Sequence, residues 1–290
     1  MRINKWHRNY MIRRYFYGPF LKAFSHLFFM FLKIIPESWY SLNKPIFVVG
    51  CSRSGTTIFI EYFKYHLDLC NWSEAAQIME LDYYNPEIDH LKNESDVTEF
   101  DKFRIQAFFG FKTKLFRKKR FVNKHPENSL RIKYIKKIFP DAIFIHIIRD
   151  GRAVVESNYS RSKIDLFRSY YPFGDFVKPP KWREYLRLPL LEQFAHQWVD
   201  VVSYIRKTAK DILSPNEYKK IRYEEWCERP HEILYELDLF CGLDPNRRIY
   251  NKIPKKFKNY NYKWKERLSA EEVERINEII GPLNKELGYY

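Results

Sequence analysis

Cysteine is scarce. The 290 residues hold four, Cys51, Cys70, Cys227 and Cys241, and no CxxC pair. That excludes a disulfide framework and a structural zinc site. It leaves reduced thiols in a cytoplasmic enzyme as the expectation, with Cys227–Cys241 the one bridge that an oxidising compartment would allow. Long apolar runs are missing near the N-terminus. The longest, Leu27 to Leu32, falls far short of the ~20 residues that span a bilayer. No small-x-small site follows it, so a signal peptide is not expected. Zinc-finger spacing, a heptad basic region and an RNA-binding aromatic signature are also absent, so nucleic acid is not an expected partner.

What is present offsets the entropy of ordering. Hydrophobic residues make up 45% of the chain and aromatics 18%, which excludes a disordered protein. Fifty-one Lys+Arg against 36 Asp+Glu leave a charge of +15. Such a balance favours anionic partners: an acidic small molecule or a lipid surface.

Residues 1–44 read as an N-terminal extension, with eight Lys/Arg and a single acid, Glu37. Gly18-Pro19 can open a helix. Along it Phe20, Phe24, Leu27, Phe28, Phe31 and Ile35 share one face, while Lys22, Ser25, His26 and Lys33 share the other. A basic amphipathic helix of this kind either docks on an anionic membrane surface or packs on the domain or a second copy of the chain. A homodimer and a membrane-peripheral cytoplasmic location are therefore both candidate expectations.

The remaining residues, 45–290, read as one domain. Pro45 to Gly50 is a short buried strand, a continuous apolar run stopped by glycine. Cys51-Ser52-Arg53-Ser54-Gly55-Thr56-Thr57 follows, and Ile58, Phe59, Tyr62 and Phe63 continue at helical spacing. Strand, turn and helix in this order point backbone N–H groups at an anion. Arg53 adds a cation; Thr56 and Thr57 add hydroxyls. A nucleoside triphosphate loop carries Lys where Thr56 stands, which argues against a nucleotide-dependent kinase on the same turn.

Ala142 to Ile148 is a second buried strand. It runs into Arg149-Asp150-Gly151-Arg152, where Asp150 can cap a helix. Ser157 and Arg161 share a face of that helix, and with Arg149 they suit a second anion. Between the two, Arg120 to Pro126 is a strand ending in Lys124, followed by a helix over Leu130 to Phe139 opened by Asn128 or Ser129. Alternating strands and helices imply an α/β, P-loop-like three-layer fold with a central parallel sheet flanked by helices. Gln193 to Ile212 and Ala270 to Leu287 read as amphipathic helices, the latter capped by Ser269. Residues 161–190 read as a long acceptor lid. The acids from Glu80 to Asp101 read as a solvated face.

These residues resemble the sulfotransferase superfamily that uses 3′-phosphoadenosine-5′-phosphosulfate (PAPS), and within it the tyrosylprotein sulfotransferases. FVVGCSRSGTT is similar to the family's 5′-phosphosulfate loop. IIRDGRAVVESNYSR is similar to its 3′-phosphate motif, and FVNKHPENSLRIKYIKKIFP to the block joining them. IRYEEW, YKW and PLNKELGYY add to the likeness.

The resemblance implies the sulfotransferase fold and PAPS as donor, with no metal. It implies that Arg53, Ser54, Gly55, Thr56 and Thr57 hold the 5′ end, that Arg149, Ser157 and Arg161 hold the 3′-phosphate, and that Tyr223 and Lys263 complete the site. Lys124 and Arg53 would stabilise the transferring group. Glu74, 21 residues after Arg53, stands at the spacing of the family's general base, and burial beside Trp72 would raise its pKa. His125, where the family has Asp, is the rival base. The acceptor is a hydroxyl on a peptide tyrosine, a glycan or a lipid headgroup. Two departures stand out: the family's Arg near the base is missing from Trp72-Ser73-Glu74-Ala75-Ala76, and Val122 replaces half of its luminal disulfide. A catalytically dead basic protein on the same fold is the non-enzyme alternative.

Overall fold

The computed structural model describes residues 20, 23, 24, 27, 36–81, 85, 87–164, 173, 176–245 and 250–289. Most of the N-terminal helix expected above lies outside these residues. Of its apolar face, Phe20, Phe24 and Leu27 are described and exposed.

Five strands form the sheet: β1 (Ile46–Val49), β2 (Leu69–Asn71), β3 (Arg120–Lys124), β4 (Ile143–Ile148) and β5 (Tyr218–Arg222). Their order is β2-β3-β1-β4-β5, and every pairing is parallel. The register sets Val48 beside both Lys124 and Ile145. β1 is therefore central, and the tips of β3 and β4 flank its own.

β1 and, apart from His146, β4 are continuous apolar runs because both of their faces are covered. Successive side chains point to opposite faces, which divides the core in two. Phe47, Val49, Phe121, Phe144 and Ile148 face one cluster. Ile46, Val48, Val122, Ile145 and Ile147 face the other. Helix α1 (Thr56–Phe63) covers the second face with Phe59, Ile60 and Phe63. The short helix α2 (Ala76–Met79) follows β2, and α3 (Glu99–Leu115), α4 (Ile132–Ile138) and α5 (Gly151–Ile164) follow in turn. α6 (Trp182–Tyr185) precedes the long α7 (Leu190–Ile212). Phe109 of α3, Ile135 of α4, Val154 of α5 and Trp198 of α7 pack on the first face. α8 (Tyr223–Glu228) and α9 (Pro230–Cys241) close the second face through Trp226 and Leu237. α10 (Lys263–Arg267) and α11 (Ala270–Glu286) end the chain, α11 returning to the first face with Ile276 and Ile280.

Local signals act as their chemistry dictates. Asp150 Oδ1 accepts from Arg152 N at 2.9 Å, capping α5. Ser269 and Glu272 form a capping box at α11. The helix after β3 differs from expectation. Pro126–Leu130 is a 3-10 turn, and α4 starts only at Ile132. Asn128 and Ser129 are used elsewhere: Asn128 Nδ2 donates to Asn123 Oδ1, and Ser129 Oγ bridges Gly50 N and O. The acidic stretch is not uniformly solvated either. Glu80 is buried against Lys92 and Arg131, while Asp96 and Asp101 serve helix starts. All four cysteines are free and buried. Among the described residues no helix is long and apolar enough to cross a membrane.

His146 sits mid-strand on the first face, fully buried, with Nδ1 2.7 Å from Tyr218 Oη. Burial pushes its pKa down to about 3, helped by Lys220 and Arg206. The unfolded chain binds this proton near pH 6.5 while the folded chain refuses it. Stability is thus fully present above pH 6.5 and is lost as pH falls below it. Relative to His146→Gln, the wild type should lose roughly 1.5 kcal/mol more between pH 6.5 and pH 5, read from urea unfolding. Equal losses in both proteins would remove His146 as the cause.

Candidate active site

The turn after β1 and the turn after β4 leave adjacent strand tips and touch. Arg149 Nη1 donates to Arg53 O at 3.0 Å, and Arg53 Nε donates to Ser157 Oγ at 3.1 Å. Lys124 ends β3 on the other side of β1. Arg53, Lys124, Arg149 and Ser157 therefore line one cleft of about 780 Å³, within the usual range for small-molecule sites. It lies at the carboxyl ends of the strands, where open α/β sheets hold ligands.

The first helical residues of α1, Thr56 and Thr57, also line it. N–H groups at a helix start lack intrahelical acceptors and carry positive potential. Thr57 is exposed and Thr56 buried. Ser54 differs: it is fully buried, its N donates to Cys51 O at 3.1 Å, and it is not among the lining residues. Its Oγ has no hydrogen-bond partner among the described residues. Gly55 (φ +95) allows the Tyr223 ring to close on the turn, since a Cβ there would lie 2.4 Å from Tyr223 Cδ2. That ring stacks on the Arg149 guanidinium, 4.3 Å away. Burial pushes the Tyr223 phenol up to about 12, so it stays a protonated donor.

Glu74 is bound twice to Lys124. Its N donates to Lys124 O at 2.8 Å, and Lys124 Nζ donates to its Oε1 at 2.8 Å. The lysine side chain is 4% exposed and the glutamate 64%. Glu74 is thus an open carboxylate at the cleft mouth, not one buried beside Trp72. It sits at φ +55, and Arg53 at φ +70. Non-glycine residues in this region cost about 1–3 kcal/mol and persist only where their surroundings impose it. His125 also lines the cleft but is buried. Desolvation, Arg131 and Lys124 hold its pKa well below the usual imidazole range, so it is neutral and weakly basic.

Besides Ser54, two expected ligand residues stand apart. Arg161 is exposed on α5, one turn beyond Ser157, and is not among the lining residues; Lys263 stacks over Tyr260, whose own ring does line the cleft. Several participants were not singled out in the sequence. Asn261 Oδ1 accepts from Arg149 Nε at 2.7 Å. Glu224 accepts from Asp150 N, Asn261 Nδ2 and Tyr289 Oη. Phe176, Val177 and Glu127 form further wall. The only available signal was adjacency: Glu224 follows Tyr223, and Asn261 precedes Lys263.

A parallel sheet between two helical layers, with cations from three neighbouring strand tips around one cleft, makes an α/β fold with a candidate anion site. The model of the sulfotransferase family matches residues 45–247, and the chain belongs to that family. Among relatives, omega-hydroxy-beta-dihydromenaquinone-9 sulfotransferase Stf3 of Mycobacterium bovis is 26% identical over 179 residues. That match covers 60% of this chain and 42% of the mycobacterial enzyme, so the chain spans less than half of that relative. A Caenorhabditis briggsae protein, provisionally named a protein-tyrosine sulfotransferase, is 25% identical over 86% of this chain and 90% of its own. The fold is shared with sulfotransferase STF9 of Mycobacterium avium, at a TM-score of 0.56 and 14% identity over 88% of this chain and 80% of that one. It is also shared with the sulfotransferase domain of the curacin biosynthetic pathway, at 0.55 and 15% over 83% and 98%.

Gly55→Ala should cost about 1–3 kcal/mol, because the added methyl must displace the Tyr223 ring. Gly281→Ala, in α11 with open space around it, should instead be neutral or stabilising by about 0.5–1 kcal/mol. Urea unfolding of both variants checks the contrast.

Proposed function

We propose that the protein transfers a sulfuryl group from PAPS to an acceptor hydroxyl, with Glu74 as general base. The observation carrying this reading is the convergence of Arg53, Lys124 and Arg149 on one cleft, with Glu74 held against Lys124. The donor set suits PAPS. It combines three cations, a helix start and the Ser157 hydroxyl, all suited to phosphate and sulfate oxygens. Arg53, Gly55, Thr56 and Thr57 would hold the 5′ end; Arg149 and Ser157 would hold the 3′-phosphate, with Tyr223 beside them. Ser54 would support the turn from behind, and Arg161 and Lys263 would reach the ligand only from the rim. When bound, the nucleotide supplies the activated sulfuryl group.

The chain's own residues supply position and charge. Lys124 and Arg53 are fixed cations where negative charge develops, and preorganised charge of this kind needs no reorganisation during reaction. Lys124 occupies Oε1 of Glu74; Oε2 makes no hydrogen bond among the described residues and is the oxygen available to an acceptor proton. Neutral His125 is a poorer base at neutral pH. Pro126, Phe176 and Val177 give the cleft an apolar wall. That wall suits an acceptor with an aromatic or alkyl body beside its hydroxyl, such as a peptide tyrosine or a hydroxylated lipid. Relatives named for protein tyrosine and for a dihydromenaquinone support the same class. Thr56, in place of lysine, counts against a kinase.

Calorimetry should detect binding of adenosine 3′,5′-bisphosphate, and labelled PAPS should mark a phenolic acceptor. Glu74→Gln should lower kcat by about 10²–10⁴-fold while leaving bisphosphate affinity unchanged. Full activity in that variant would falsify the base assignment, and absence of bisphosphate binding to the wild type would overturn the donor.

A further inference from the structure

The apolar wall of the cleft is held by a buried polar clamp. Val177 O accepts from Gln197 Nε2, and Val177 N points to Ser52 Oγ at 3.5 Å. The next residue, Lys178, donates its N–H to His90 Nδ1 at 3.0 Å, and its ammonium reaches Ile88 O. His90 is buried. Because Nδ1 accepts, a neutral ring carries its proton on Nε2. Nε2 lies 3.2 Å from Glu127 Oε1, so it donates there. The charged groups around the ring are Glu127, Lys178 and Arg131, with the titratable but neutral His125 beside them. Burial together with Lys178, Arg131 and His125 keeps it neutral by pushing its pKa well below the usual range. Arg131 secures the other end: Nε donates to His90 O at 3.1 Å and Nη2 meets Glu127 Oε2 at 2.9 Å.

One imidazole therefore joins two parts of the cleft lining that are remote in sequence. On one side is the backbone just after Phe176 and Val177; on the other is Glu127, three residues after Lys124. We infer that His90 is a positioning residue that sets the Phe176–Val177 wall against the Glu127 side of the cleft, and with it the fit of the acceptor. It makes no hydrogen bond or ion pair to Arg53, Lys124, Arg149 or Glu74, so the donor side does not depend on it. The inference rests on the sulfuryl-transfer reading above.

Three variants separate the two arms of the clamp. His90→Ala removes both. His90→Asn keeps an acceptor near the Nδ1 position, and His90→Gln keeps a donor near the Nε2 position. The acceptor KM should rise about 3–10-fold in all three variants, the effect of one lost hydrogen bond, because each breaks at least one arm of the join. Affinity for adenosine 3′,5′-bisphosphate should stay within about twofold in all three, by the same logic that the donor side is untouched. Hydrogen exchange at the Lys178 amide should accelerate in His90→Ala and His90→Gln but not in His90→Asn. An unchanged acceptor KM with a protected Lys178 amide in His90→Gln overturns the inference. So does a parallel loss of bisphosphate affinity, which would mark a general structural role. If His90→Ala does not fold, the Asn–Gln contrast decides. A wild-type protein that binds the bisphosphate yet sulfates no hydroxyl overturns the proposed function instead, and the exchange experiment still reads the clamp.

Discussion

Arg149 holds together the two turns that line the cleft. Its Nη1 grips the Arg53 carbonyl, its Nε grips Asn261, and its face lies on Tyr223. Arg53 occupies a backbone region that costs energy for a side-chain-bearing residue, and the Arg149 bond is one of the contacts that keep it there. Tyr223 can reach Arg149 only because Gly55 has no Cβ. The turn, the guanidinium and the ring thus require one another.

That arrangement follows from the sheet. β1 lies between β3 and β4 in parallel register, so Lys124, Arg53 and Arg149 leave neighbouring tips on one edge. Strands lie roughly 5 Å apart, which brings the three cations to one cleft without any long loop. Placing like charges so close is unfavourable unless acids or an anionic ligand answer them. Glu74 answers Lys124 here, while Ser157 and Asn261 satisfy guanidinium nitrogens of Arg53 and Arg149. Further buried charge is paired at the cleft wall and behind it, where Glu127 meets Arg131, and Glu80 meets Lys92 and Arg131.

Much of this was legible in the chain. Apolar runs bounded by glycine or charge announced β1, β3 and β4, because strands buried on both faces favour apolar residues. β2 and β5 were not legible. Leu69–Asn71 is only three residues long, and Tyr218–Arg222 carries two lysines at the sheet's edge, where solvent tolerates them. α3 was hidden because Lys102, Arg104, Lys112 and Lys114 interrupt its apolar pattern. The acids of residues 80–101 looked alike in sequence, yet Glu80 is buried with cations and Asp101 serves a helix start. Pattern cannot separate these cases, since each depends on what lies opposite in space.

The site shows the same division. The sequence alone determined the cationic turn after β1, the Arg-Asp-Gly-Arg start of α5 and the lysine ending β3, because local chemistry dictates a strand, a turn and a helix cap. Only the tertiary structure decided that Glu74 stands open against Lys124, that Ser54 lies behind the turn, and that Asn261, Glu224 and His90 belong to the lining's support. Those contacts join residues 37 to 112 positions apart. They form only when packing of both sheet faces brings the segments together, and no local propensity encodes that.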